Sequence, residues 1–281
     1  MITSHLFGGL GNQLFQYCAG RALSLTHGVE LRLLWGEDTE KRTLDLHHFN
    51  IEAEIIRSTK VFKRLSFRLL PSLLKHGLPK VLREDALGYY DRFQSLGGNT
   101  RIKGYWQSEL YFEHFEDVIR NDLHIITLPS RQNQAFLDRI SSENAVSLHI
   151  RRGDYITNLM ANSIHGTCDL TYYEKAIENI SSSMSEDPVF YVFSDDPSWA
   201  KQNLKTRHKT VFVDFNDAAA NYEDLRLMSQ CNHNIIANST FSWWGAWLNK
   251  NPSKIVIAPH KWFSDPTIKN PNILPQAWRT L

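Results

Sequence analysis

The chain is short of cysteine, of long apolar runs and of net charge, and each shortage argues against a class of protein. Its 281 residues hold three cysteines, Cys18, Cys168 and Cys231, odd in number and far apart. That argues against both a disulfide framework and a zinc cluster, so a reducing compartment is expected. No apolar run approaches the roughly 18 residues of a membrane span. The start, Met1-Ile2-Thr3-Ser4-His5, lacks the basic and apolar stretches of a secretion signal. The expectation is a cytoplasmic protein, in solution or resting peripherally on the inner face of the membrane. Thirty-one basic residues stand against 30 acidic ones, a net charge of +1. No global field points to nucleic acid, and any anion must be bound by local groups. Internal repeats and low-complexity tracts are missing too.

What is present is a strand and helix alternation, over residues 2–35 and again over 145–258, which predicts two α/β units. Leu128-Pro129-Ser130 breaks the pattern, and the domain boundary is placed there, giving domains of 1–130 and 131–281. In parallel α/β sheets ligands bind beyond the carboxyl ends of the strands. Every polar motif of this chain follows a strand, so a site between two facing domains is the economical expectation.

The central motif is Ala145-Val146-Ser147-Leu148-His149-Ile150-Arg151-Arg152-Gly153-Asp154. A buried-strand run opens into two arginines, a glycine that lets the chain turn, and a carboxylate. The planar guanidinium fork fits phosphate oxygens, and each charge-assisted contact contributes about 1.5–3 kcal/mol in a dry site. A second cradle is read at Asn238-Ser239-Thr240-Phe241, where hydroxyls and backbone amides meet at a strand-to-helix turn, ahead of a buried helix with Trp243, Trp244 and Trp247.

Near the start, Gly8-Gly9-Leu10-Gly11-Asn12-Gln13 joins a strand to a helix. The dinucleotide fingerprint would need glycine where Leu14 stands, which weakens a cofactor reading and leaves an anion or sugar loop, or a turn that only packs. Tyr105, Trp106 and Gln107 follow another strand; the rings suit stacking on a pyranose with the amide bonding its hydroxyls, or plain packing. Asp195 and Asp196 precede Pro197, which favours a helix cap over a metal pair and leaves a place lining a nucleotide pocket. Residues 157–169 read as a polar, mobile loop, and Thr171 as the cap of the next helix. Residues 57–83 carry eight basic side chains and no acidic one, with helical apolar spacing broken at Pro71. They read as two short amphipathic helices, a solvated face over a local core or a contact with anionic lipid.

Together, the Gly8 loop, Gly104-Tyr105-Trp106-Gln107-Ser108, His149-Ile150-Arg151-Arg152-Gly153-Asp154, Phe193-Ser194-Asp195-Asp196 and Asn238-Ser239-Thr240-Phe241 resemble the α-1,2-fucosyltransferases of glycosyltransferase family 11. The resemblance runs from the first strand nearly to the C-terminus. It implies a GT-B architecture of two facing Rossmann-like domains, with the acceptor side in 1–130 and the GDP-sugar in 131–281. It implies transfer of L-fucose from GDP-β-L-fucose to the 2-hydroxyl of a terminal galactose, with inversion and with no metal or other cofactor. Partners are then GDP-fucose and a galactose-terminated oligosaccharide or lipid-linked glycan, with no nucleic acid.

By the same resemblance Arg151 grips the β-phosphate, His149 contacts guanine, Asp224 on the 223–229 helix reads it, and Ser239, Thr240 and Phe241 form the phosphate turn. Asn12 matches an asparagine near the reacting centre. Gly9, Gly11, Arg152, Asp195 and Asn238 complete the expected donor site, and Tyr105, Trp106 and Gln107 the acceptor side. Arg152 and Asp154 are read chiefly as a salt bridge, mutual or cross-strand, that shapes the turn. Asp154 is also the candidate base, beside a dissociative route that needs none. Two competing readings stand: a GDP-sugar transferase of another sugar or linkage, and a nucleotide-binding module without catalysis.

Overall fold

The computed structural model describes residues 1–36, 43–57 and 79–281. The chain divides into two compact units, Met1–Ile126 with Asn270–Ile273, and Thr127–Lys269 with Leu274–Leu281.

The first unit begins with β1 (Ile2–Leu6), α1 (Leu10–His27) and β2 (Leu31–Trp35), followed by β3 (Glu54–Arg57), β4 (Lys80–Arg83), β5 (Thr100–Lys103) and α2 (Glu116–Asp122). Its five strands are all parallel, in the order β3-β2-β1-β5-β4. The burial of β2 alternates, as a strand with one covered face must. α1 lies inside the unit, with Leu14, Phe15, Tyr17, Cys18 and Ala19 fully buried. The Tyr17 hydroxyl donates to the Asp122 carboxylate at 2.7 Å, and Arg21 Nε donates to the same oxygen at 2.8 Å. Asp122 is thus buried with two donors, the condition under which a buried charge is tolerable, and it ties α1 to α2.

The second unit runs α3 (Arg131–Ser142), β6 (Ala145–Ile150), α4 (Gly153–Thr157), α5 (Leu159–His165), α6 (Leu170–Ser181), β7 (Val189–Ser194), α7 (Pro197–Asn203), β8 (Lys209–Val213), α8 (Asn221–Gln230), β9 (His233–Ile235), α9 (Thr240–Leu248), β10 (Val256–Ala258) and β11 (Arg279–Thr280). The order β11-β10-β9-β6-β7-β8 is that of a doubly wound dinucleotide-type sheet, again wholly parallel. β6 sits in its middle with all six residues buried. Val146, Leu148 and Ile150 pack on one face with Tyr173, Ala176 and Ile180 of α6. Ala145 looks the other way, into a cluster with Ile140 of α3 and Leu227 and Met228 of α8. Trp243, Trp244 and Trp247 of α9 are buried, as their helical spacing led one to expect.

Several local expectations are corrected. Residues 157–169 are not a plain loop: α5 fills much of that span, because the Asn158 side chain accepts from the amides of Met160 and Ala161 and starts a helix. α6 is capped by Asp169, whose carboxylate accepts from Tyr172 N at 2.7 Å, and Thr171 lies inside the helix. The ends of the basic 57–83 stretch are strand, in β3 and β4; residues 58–78 lie outside the described residues. Asn270–Ile273 belongs to the first unit, although a cut at 130/131 placed it in the second. Its residues bond there: Asn270 Nδ2 donates to the Gln107 carbonyl at 3.0 Å, and the Asn272 side-chain oxygen accepts from Tyr89 N at 2.9 Å.

Candidate active site

β1 and β5 are neighbours in the middle of the first sheet, and β6 and β9 in the middle of the second, where β6 runs on to β7 on one side and β9 to β10 on the other. A crevice opens at such a point beyond the carboxyl ends. The predicted motifs fall there: the Gly8 loop follows β1, the 104–107 turn follows β5, Arg151 follows β6 and Ser239 follows β9.

In the second unit Arg151, Arg152 and Asp195 are joined. Arg151 Nη1 lies 3.0 Å from Asp195 Oδ2, and the backbone amide of Arg152 donates to Asp195 Oδ1 at 2.8 Å. One carboxylate therefore holds both the side chain and the peptide of the arginine turn. Gly153 is required for that approach, since a Cβ there would stand 2.6 Å from Asp195 Oδ2. The guanidinium of Arg152 lies over the Trp199 ring, 3.8 Å from its centroid, and 3.9 Å from Asp196, a cross-strand pairing of the kind expected for this residue. Asp196 also caps α7, accepting from Trp199 N at 3.1 Å. The two adjacent aspartates thus divide the work, one as cap and one as the arginine's counter-ion. The Asp154 side chain lies outside what the structure describes.

His149 precedes this turn at the end of β6, buried and facing Phe241, with ring centroids 5.7 Å apart. Burial holds its pKa at about 4, with Arg151 pushing the same way and Asp195 against. The ring is therefore neutral near pH 7, with one donor and one acceptor nitrogen. Its Nδ1 is buried without a hydrogen-bond partner among the described residues, a polar edge left for something else.

Ser239 caps α9, its hydroxyl accepting from Phe241 N at 3.3 Å. Thr240 and Phe241 form the first turn of that helix, both half-buried. Asn238 corrects the sequence reading. Its side-chain amide donates to the carbonyls of His165 at 2.9 Å and Trp262 at 3.2 Å, and its oxygen accepts from the Cys168 thiol at 3.6 Å. With its side chain committed to neighbouring loops, Asn238 holds the turn together and is not a donor ligand by that group.

Asp224 stands in the first turn of α8, which must start at the carboxyl edge because it joins the parallel strands β8 and β9. The Asn216 amide donates to Asp224 Oδ1 at 2.7 Å, and Asn216 exchanges a pair of amide bonds with Asn133 at 2.9 and 3.0 Å. Burial raises the Asp224 pKa to about 7, against the Asn216 hydrogen bond. Asn133 and Asn216 went unnoticed in the sequence, because a bond between α3 and a later loop leaves no local pattern.

In the first unit the site is built of amides. Gly8 has φ of 80°, which an L side chain rarely adopts, and a Cβ on it would meet Asn12 Nδ2 at 2.7 Å. Gln13 Nε2 donates to Gly8 O at 3.0 Å and Thr43 O at 2.8 Å, and the Gln16 oxygen accepts from Phe7 N at 2.9 Å. Both glutamines were overlooked, although polar residues on an otherwise apolar helix face were the available signal. Gly9 leads into α1 and Gly11 is buried in its first turn. Gln107 Nε2 donates to Asn12 Oδ1 at 2.9 Å, which brings two expected site residues together.

Tyr105 and Trp106 part company. Tyr105 is 40% exposed with its ring edge-on to Phe7, whereas Trp106 is 1% exposed and packed against Phe93 and Tyr111. Trp106 is therefore core and not a sugar platform.

Two Rossmann-like units, one with an arginine turn at its switch point, define a GT-B type α/β transferase fold. The chain matches Glycosyl transferase family 11 over residues 1–281 and belongs to that family. It is 35% identical to the O-antigen biosynthesis glycosyltransferase WbnK of Escherichia coli, over 93% of this chain and 94% of that one. It is 32% identical to an alpha-1,2-colitosyltransferase of Escherichia coli, over 99% and 98%. With galactoside alpha-(1,2)-fucosyltransferase 2 of Rattus norvegicus it shares 27% identity over 88% of this chain and 67% of the other. Among solved structures, the fucosyltransferase NodZ from Bradyrhizobium is similar in fold, with a TM-score of 0.50 at 12% identity, covering 87% of this chain and 91% of that one. Among the described residues no helix is long and apolar enough to cross a membrane.

Proposed function

We propose that the protein transfers L-fucose from GDP-β-L-fucose to the 2-hydroxyl of a terminal galactose, inverting the anomeric centre. The observation that carries this reading is the Asp195-braced Arg151 at the switch point of the second sheet, in a chain of family 11. Guanine packs beside the His149 ring, whose Nδ1 has no partner among the described residues, and Asp224 accepts from N1–H and the exocyclic amine, a pair of donors that adenine lacks. The Ser239 turn and Arg151 take the diphosphate. As the glycosidic bond breaks, charge grows on the β-phosphate oxygen, and a fixed guanidinium stabilises that oxygen more than it does the ground state. This supplies the role that a divalent ion plays in metal-dependent transferases, so turnover should persist in EDTA. Asp154 is the candidate to take the proton from the attacking hydroxyl; an exploded transition state that needs no strong base is the alternative. Asp154→Asn separates them, since loss of a general base costs about 10²–10⁴ in rate.

The alternative donor is GDP-colitose, favoured by the colitosyltransferase similarity across nearly the whole chain. Colitose lacks the 3-hydroxyl that L-fucose carries. The acceptor, on the strength of the O-antigen relative, is a galactose-terminated unit of a surface polysaccharide, free or lipid-linked. The deciding experiment offers GDP-fucose, GDP-colitose and GDP-mannose in EDTA with a panel of galactosides, and reads GDP release and the linkage of the product. An α-1,2-fucosylated galactoside supports the proposal. Preference for GDP-colitose moves the donor, and release of no GDP with any donor and acceptor pair overturns catalysis.

A further inference from the structure

We propose that Glu84 is a positioning residue that sets Asn12 through the 104–107 turn. β4 ends at Arg83, and the amide of Glu84 continues its ladder by donating to Lys103 O at 3.0 Å. The carboxylate then spans two successive amides. Tyr105 N donates to Oε2 at 2.5 Å and Trp106 N to Oε1 at 3.1 Å. Consecutive N–H groups around a residue of positive φ form an anion-binding concavity. Trp106 has φ of 54° and is the only non-glycine residue with positive φ among those described. In many proteins such a concavity receives a ligand; here the chain fills it with its own carboxylate.

A tryptophan keeps this conformation only where its surroundings fix it from several sides. The ring is held by Phe93 and Tyr111, with centroids at 5.2 and 5.5 Å, and the peptide is held by Glu84. Residue 107 is then left with one direction. Its carbonyl accepts from Asn270 and its side-chain amide donates to Asn12 Oδ1 at 2.9 Å. A donor at that place fixes how the Asn12 amide is turned, with Oδ1 towards Gln107 and Nδ2 beside Gly8. The Tyr105 ring rests on Phe7, so the same turn touches the Gly8 loop twice. Burial raises the Glu84 pKa while the two amide bonds oppose it, as for a carboxylate enclosed by donors. Nothing in the sequence singles out Glu84: its partners lie 21 and 22 residues away.

The effect on rate rests on the transfer reaction proposed above; the coupling of Glu84 to the Gly8 loop does not. The test uses the full chain as wild type, Glu84→Gln, Gln107→Ala and the double variant. It measures kcat, both KM values, GDP affinity, and hydrogen exchange of residues 7–13 and 104–108. Glutamine keeps the shape but turns a donor on one of the two amides. The expected result is a fall in kcat of about 10- to 100-fold in each single variant, typical of lost positioning, with GDP affinity unchanged. The double variant should be no slower than Gln107→Ala, because both substitutions cut one chain of contacts. Exchange should quicken in both segments of Glu84→Gln.

An unchanged kcat, or single effects that multiply in the double variant, would overturn the assignment. If Glu84→Gln does not fold, Glu84→Asp, which draws the carboxylate back by one carbon, is judged by the same outcomes. If the wild type transfers no sugar, the transfer reading fails by itself and exchange decides the coupling. Protection of 7–13 unaltered by Glu84→Gln overturns it, and joint loss in 7–13 and 104–108 upholds it.

Discussion

The central strand pairs, β1 with β5 and β6 with β9, occupy the same position in two parallel sheets, and their carboxyl edges are furnished with opposite chemistry. At the second, Arg151, Arg152, Asp195 and Asp196 bring charge to the carboxyl edge, and each ion has a counter-ion or a ring. At the first, Asn12, Gln13, Gln16 and Gln107 are uncharged amides, bonded to backbone and to one another. A guanidinium is suited to a group whose charge grows during reaction. An amide is suited to hydroxyls, for which it offers a donor and an acceptor at little desolvation cost. The fold therefore sets where ligands can bind, and side-chain charge sets which part of a glycosyl donor or acceptor each crevice suits.

The contrast can be broken in order of expected effect. Arg151→Ala should lower kcat by about 10³-fold or more, in line with loss of a transition-state anion contact, and Arg151→Lys should restore little because an ammonium lacks the planar set of donors that can meet Asp195 and an anion together. Near wild-type turnover in Arg151→Ala would end the leaving-group role. Trp106→Ala should cost about 3–5 kcal/mol of stability, as for a buried aromatic, whereas Tyr105→Ala should stay within about 0.5 kcal/mol. Chemical denaturation of the two variants checks this, and equal losses would return Trp106 to the surface. Asn12→Ala should reduce kcat by about 10- to 100-fold with GDP affinity unaltered; a matching loss of GDP affinity would erase the division of labour.

The smallest effect concerns pH. Burial raises Asp224 to about 7 from its ordinary 3.8, and in the role proposed for it only the ionised form would accept from both guanine donors. GDP affinity should weaken by about tenfold per unit as pH falls below 7, and titration calorimetry on wild type and Asp224→Asn should find that slope only in the former. Stability moves the opposite way. Between pH 3.8 and about 7 the folded carboxyl holds a proton that the unfolded one has lost, so this group's contribution declines as pH rises through that window. Asp224→Asn should remove that decline.

Much of this was legible without coordinates. The strand and helix alternation, the placement of each motif just after a strand, the buried tryptophans of α9 and the capping role of Asp196 follow from local chemistry: periodicity of two or 3.6, a proline at a helix start, a carboxylate ahead of it. Local chemistry also fixed that Arg151 and Arg152 leave a buried strand together. Tertiary structure alone decided who answers them. Asp195 was found to brace Arg151, Asn238 was drawn into loop carbonyls, and Trp106 was turned inward while Tyr105 stayed out. The bonds of Asn238 reach 24 and 73 residues along the chain, and Asn270 reaches back 163 residues to Gln107. Local propensity acts over a few residues. Hydrogen bonds and ion pairs across a sheet form only when the whole chain has brought their partners within about 3 Å.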